Sequence, residues 1–185
     1  MRDNFPGGIV DAARPRPDNL AMRHRCSTLL LAACVAPAAL AQGGGAVANQ
    51  ARDAAAVFIA QSNYLVARLG AECLTLVGRA ESPQALAANW RQRNARYVNA
   101  SSKYLDKRLE EAEAEGGSLR REAMLDEIRN AVQNSGESSL RTLLQGRKDE
   151  ACMRAITLLD TGTLDIGSNL PQIEQLDALV RWAEK

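Results

Sequence analysis

Four cations recur at helical spacing along one stretch of this chain. Arg93, Arg96, Lys103 and Lys107, with Ala100 between them, are separated by steps of 3, 4, 3 and 4. At about 100° per residue such steps make a single stripe on a helix. Beside it, Trp90, Asn94, Tyr97, Val98, Ser101, Tyr104, Leu105 and Leu109 fall on one broad face. Guanidinium and ammonium groups in this arrangement suit carboxylates or phosphates repeated along a glycan or an acidic partner helix. The rims of Tyr97 and Tyr104 would add apolar area and a hydroxyl tip. The binding surface expected from sequence is therefore Arg93, Arg96, Lys103, Lys107, Tyr97 and Tyr104, with Trp90 anchored in the core. The plainer reading makes the aromatics core and the cations a solvated flank, which is the usual fate of stripes at helical spacing.

Catalytic chemistry is harder to assemble. The single histidine, His24, lies in an N-terminal segment that reads as a leader, so the remainder has no imidazole. Ser-His-Asp and Cys-His nucleophiles are thereby excluded there, as are zinc sites built on histidine. Cys73 and Cys152 are the two cysteines outside the leader, too far apart for a redox CxxC. In an oxidising compartment such a pair reads as one structural disulfide. No metal and no cofactor is expected.

One carboxylate merits separate treatment. Glu137-Ser138, with Leu143-Leu144-Gln145-Gly146 shortly after, resembles the Glu-Ser of soluble lytic transglycosylases. That resemblance implies a lone glutamic acid acting on peptidoglycan, which requires a carboxyl group with a raised pKa. The flanking residues of that family's pattern are missing. A peptidoglycan-active enzyme using Glu137 is thus the alternative to a non-enzymatic binder.

The leader itself begins inside the chain. Arg23, His24 and Arg25 precede an apolar run from Ser27 to Ala36, and Ala39-Leu40-Ala41 offers a small-x-small cleavage site. The run is too short to span a bilayer. Residues 1–21, rich in proline, glycine and charge, read as a non-native extension ahead of a start at Met22. Residues 22–41 read as the signal peptide, giving a periplasmic product that starts at Gln42. Leu31-Ala32-Ala33-Cys34 also resembles a lipobox, so an outer-membrane lipoprotein anchored through Cys34 is the competing outcome.

Elements able to position these groups are all helical, and no convincing strand alternation occurs. Residues 42–50, "QGGGAVANQ", read as a flexible tether, and 51–185 as the folded domain. Phe58, Ser62, Leu65, Leu69, Cys73 and Leu76 mark one face of a long helix that ends at Gly78. Ser82-Pro83 supplies an N-cap and a first-turn proline for a second long helix running to Gly116-Gly117. Ser118 restarts a third, with Leu125, Ile128 and Val132 on its apolar face, until Gly136. Shorter helices follow at 139–145 and 149–161. The loop "TGTLDIGSNLP" leads to a last helix from Pro171. The acidic block at 110–115 sits at a helix C-terminus and Arg120-Arg121 at the next N-terminus, both unfavourable for the helix dipole. Pairing across the Gly-Gly turn is the expected remedy, with partner docking as the alternative.

The expectation is an all-α single-domain bundle of about five to six helices, two of them long and N-terminal, with one disulfide. Beyond residue 41 there are 18 Lys and Arg against 19 Asp and Glu, which lacks the basic excess of a nucleic-acid binder. The product reads as an exported, non-enzymatic interaction protein without a transmembrane segment, inhibitor-like, immunity-like or binding an envelope ligand. Its partner is a protein or an anionic envelope ligand.

Overall fold

A computed structural model describes residues 43–185, with side chains from residue 49. The segments read as an extension (1–21) and a signal peptide (22–41), with Cys34 in the latter, lie outside the described residues. Within them the fold is all-α, a single domain with one disulfide and no strand. Five helices follow in order: α1 Gly43–Cys73, α2 Pro83–Arg93, α3 Ala95–Leu143, α4 Lys148–Asp160 and α5 Ile173–Ala183. None is long and apolar enough to cross a membrane.

α1 is the central element, with α2, α3, α4 and α5 all packed on it. It begins at Gly43, so the segment read as a tether is helical. Ala46, Ala48 and Ala51 carry high helix propensity, enough to extend a helix already fixed downstream by packing. Its buried line is Ala55, Ala56, Ile59, Val66, Leu69 and Cys73. Phe58 and Leu65 flank that line half-buried, one position away from the expected centre. Leu76 is 51% exposed, because the helix ends at Cys73 and turns follow.

Ser82 caps α2 as its type predicts, its hydroxyl accepting from the Ala85 amide at 3.1 Å ahead of Pro83. The second long helix is interrupted at Asn94 (φ −104°, ψ 19°). There the buried side chain donates to Trp90 O and accepts the Ile166 amide at 2.7 Å. A side chain bonded to the backbone on two sides displaces its residue from regular helix.

α3 folds back at Gly116 and Gly117, the latter at φ 70°, a left-handed conformation open to glycine. Its limbs, 95–115 and 118–143, are joined by these two residues. The second limb runs through Gly136, where the sequence suggested a stop, and includes the region read as a separate short helix. Gly136 serves packing instead, since a Cβ there would stand 2.4 Å from Tyr64 Cδ1. α4 carries Asp149 and Glu150 in its first turn, as the dipole favours. α5 starts at Ile173, two residues after the expected proline.

The disulfide joins the end of α1 to α4. Cys73 and Cys152 are both fully buried, with Cα atoms 5.1 Å apart. Around them the core gathers Leu69, Trp90, Leu159, Leu176 and Leu179, none more than 1% exposed.

Candidate functional site

The face beside the cationic stripe is core, as its periodicity indicates. Trp90, Asn94, Ser101 and Tyr104 are buried, while Tyr97, Val98 and Leu105 are half-buried against them. Trp90 also donates its indole N–H to Leu164 O at 3.0 Å. The rings are therefore not laid open for a ligand. Tyr104 is 3% exposed, donates to Asp53 Oδ1 at 2.9 Å and meets Trp182 edge-on at 5.0 Å between centroids. Burial, aided by the Asp53 bond, pushes its hydroxyl up to about 12. Tyr97 donates to Asp177 at 3.0 Å, and burial followed by that bond raises its pKa.

Each cation of the stripe also has an internal acceptor, which favours the plainer reading of a solvated flank over the expected binding surface. Arg93 makes a two-point contact with Asp165, Nε at 2.8 Å and Nη2 at 3.0 Å, and Nη2 also reaches Leu159 O at 3.2 Å. The hydrogen bond to Asp165 raises its pKa further. Arg96 stands 3.6 Å from Asp177 and 5.5 Å over the Tyr97 ring. Lys103 donates to the carbonyl of Ala183, and Lys107 pairs with Glu111 one turn on. Arg93 and Lys103 thus satisfy carbonyls in the last turns of α4 and α5, where cations are favoured. The spacing was legible in sequence. The acceptors, at 159, 165, 177 and 183, could be found only through the tertiary fold.

Glu137 is similarly engaged. It accepts from Tyr64 Oη at 2.7 Å and from Arg68 Nε at 2.8 Å. The Tyr64 bond first, and then Arg68, hold its pKa below the ordinary 4.5. A general acid on a glycan needs the opposite shift. Because the folded-state value is depressed, this carboxylate contributes stability above pH 4.5 and loses it as pH falls through the lowered value. Accordingly, Glu137→Gln should melt below the wild type at pH 7, and the gap should close on acidification below the carboxylate range. Thermal melts across that range check this, and a gap independent of pH would contradict the charged pairing.

The acidic block is neutralised in part across the turn, Arg121 lying 3.3 Å from Glu113. Arg120 faces Glu127 at 3.9 Å within its own limb. Glu111 pairs with Lys107 and Arg108, and both bonds, Lys107 first, lower its pKa.

Sequence reasoning did not anticipate a groove between α1 and the two limbs of α3. One part, of about 400 Å³, is bounded by Val57, Leu105, Met124 and Ile128 and rimmed by Asp53, Arg108, Arg120 and Glu127. A second, of about 410 Å³, shares Leu105 and continues past Ala60, Val98, Ser101 and Val132. Met124, Leu125, Ile128 and Val132 are only half-buried and lie outside the core cluster, while Leu119 at the limb's start is 79% exposed. The signal was present in sequence as the apolar face of 118–136, but its incomplete cover was not. Among the described residues no three His, Cys, Asp or Glu side chains converge as a metal would require.

Fold and site together define a disulfide-stapled helical domain whose candidate charged groups, Arg93, Arg96, Lys103, Lys107 and Glu137, have internal partners, and which carries a groove of half-buried apolar side chains along the second limb of α3. No protein family matches the chain, and no curated protein or solved structure is significantly similar to it.

Proposed function

We propose that this is an exported, non-enzymatic interaction protein that binds an amphipathic segment of a protein partner in the groove between α1 and the limbs of α3. The observation that carries this reading is the 118–135 stretch, whose apolar side chains Met124, Leu125, Ile128 and Val132 are only half-buried and lie outside the core cluster, with Met124, Ile128 and Val132 lining the groove. Exposed apolar surface with a polar rim is characteristic of interaction sites. The rim presents two cations and two carboxylates, Arg108, Arg120, Asp53 and Glu127. That balance complements a protein segment of mixed charge better than a polyanionic glycan. The stripe at 93–107, with its cations already paired, supports the protein over the anionic ligand.

Export is supported by the charge and apolar order of residues 22–41 and by a buried disulfide, a bond that persists in oxidising compartments. The depressed Glu137 carboxyl argues against the glycan-cleaving alternative.

The test is cross-linking capture from the native envelope with a photoreactive residue at position 128. Met124→Glu with Arg120→Glu should remove the captured partner while the melting temperature stays near wild type. Arg96→Gln should leave capture intact. Capture that survives the groove substitutions, or is lost with Arg96, would overturn the assignment.

A further inference from the structure

The chain divides at Gly116-Gly117 into two halves that are built against each other. Beyond the turn, the 118–143 limb and α4 dock on α1, and α5 docks on α1 and the 95–115 limb. The ties run across the division: Cys73 to Cys152, Tyr64 to Glu137 and Arg93 to Asp165. Only two glycines connect the halves, and their backbone angles are the non-helical ones in an otherwise continuous run of 49 residues. We propose that the chain forms a domain-swapped dimer. In it α3 straightens through Gly116-Gly117, and each copy's 118–185 half docks on the 43–115 half of a second copy.

The ties between halves permit the straight form and the charge pattern favours it. Swapping conserves the ties between halves, because each is re-made with the same residue of the other copy, so the exchange costs little beyond association. The charge pattern points the same way. In the folded-back form Glu110, Glu111, Glu113 and Glu115 crowd a helix C-terminus, and Arg120 and Arg121 a helix N-terminus. Both placements oppose the dipole, and both become neutral mid-helix positions in one continuous helix of about 73 Å. The limbs already run antiparallel about the turn, Leu105 and Arg108 facing Met124 and Ile128. In the dimer the same facing pairs recur about a twofold axis at the glycines. Against the straight form stand the glycines themselves, each weakening a helix interior roughly fivefold relative to alanine.

A covalent mark distinguishes this dimer from surface association. Each swapped dimer closes two Cys73–Cys152 bonds between chains. Every bond forms from two thiols, which lose two protons and two electrons to oxidised glutathione in the refolding buffer, as in the monomer. Labelled and unlabelled full chains are mixed in equal amounts, unfolded and reduced, then refolded with oxidised glutathione. In the dimer fraction, half of the Cys73–Cys152 peptides should join one heavy and one light chain, and in the monomer fraction none should. Gly116→Ala with Gly117→Ala removes the helix-interior penalty and disfavours the left-handed turn. It should raise the dimer-to-monomer ratio roughly a hundredfold or more. Should that variant aggregate, the wild-type chain refolded at high concentration carries the same peptide readout. Dimers whose bonded peptides are never mixed, or the absence of dimer at high concentration, would overturn the proposal. The groove assignment is tested separately, since the Met124 and Arg120 substitutions leave the bonded peptides unchanged.

Discussion

Replacing Cys73 and Cys152 together by alanine is expected to lower the unfolding free energy by about 4–5 kcal/mol, the largest effect of any substitution considered. The bond closes a loop with a sequence separation of 79. Closing a loop of that size removes chain entropy from the unfolded state in the stated amount. Against the roughly 5–15 kcal/mol of an ordinary domain, this is a large share. The position of the bond strengthens the expectation. α4 reaches the core through Ala151, Cys152, Ala155, Ile156 and Leu159, mostly small residues, on a helix of 13 residues. Few of these bury enough apolar area to hold α4 without the staple. Alanine is the appropriate replacement at both sites, because serine would bury two unpartnered hydroxyls and add their desolvation. Urea unfolding of the oxidised wild type and the double-alanine chain measures the difference. A loss below about 1.5 kcal/mol would mean that the unfolded chain is already compact around this pair.

How far the sequence reaches is clearest at individual residues. Ser82-Pro83 and Gly116-Gly117 could be read because their signals are local, a hydroxyl or a missing side chain acting within one turn. The cysteine pair could be read because only Cys73 and Cys152 lie beyond residue 41. The break at Asn94 could not, since it depends on a bond from the amide of Ile166, which lies in a distant loop. Gly136 misled for the same reason. A glycine inside a helix signals either a stop or a close approach, and the ring of Tyr64 decides for the second. The candidate site divides similarly. Helical spacing suggests one stripe for Arg93, Arg96, Lys103 and Lys107, but the break at Asn94 leaves Arg93 at the end of α2 and the other three on α3. Lys107 finds Glu111 at i+4 on its own helix, but the acceptors of Arg93, Arg96 and Lys103 are brought in by the loop at 161–172, the end of α4 and α5, and no spacing rule encodes those.

The second large effect is expected at the node that this loop makes with the helices. Asn94 is 3% exposed and has every polar group of its side chain in use. Its Nδ2 donates to Trp90 O at 2.9 Å and to Asp165 Oδ1 at 3.2 Å, and its Oδ1 accepts the buried amide of Ile166 at 2.7 Å. Asn94→Ala leaves that amide without an acceptor and also releases Asp165, which Arg93 holds from the other side. An unsatisfied buried group costs about 1–3 kcal/mol. Loosening of the loop, which carries the acceptor for Trp90, brings the expected loss to roughly 2–4 kcal/mol. Asn94→Asp should not rescue it, because a carboxylate cannot donate to Trp90 O and would stand against Asp165. Arg96→Gln is the matched control. That side chain is 55% exposed and 3.6 Å from its acid, so its removal should cost no more than about 0.5 kcal/mol. Thermal and urea unfolding of the three variants decide the matter. Comparable losses at positions 94 and 96 would show that the stripe's outer cations share in holding the fold. A loss confined to position 94 would place the stability in the buried amide network and leave Arg96 a replaceable surface group.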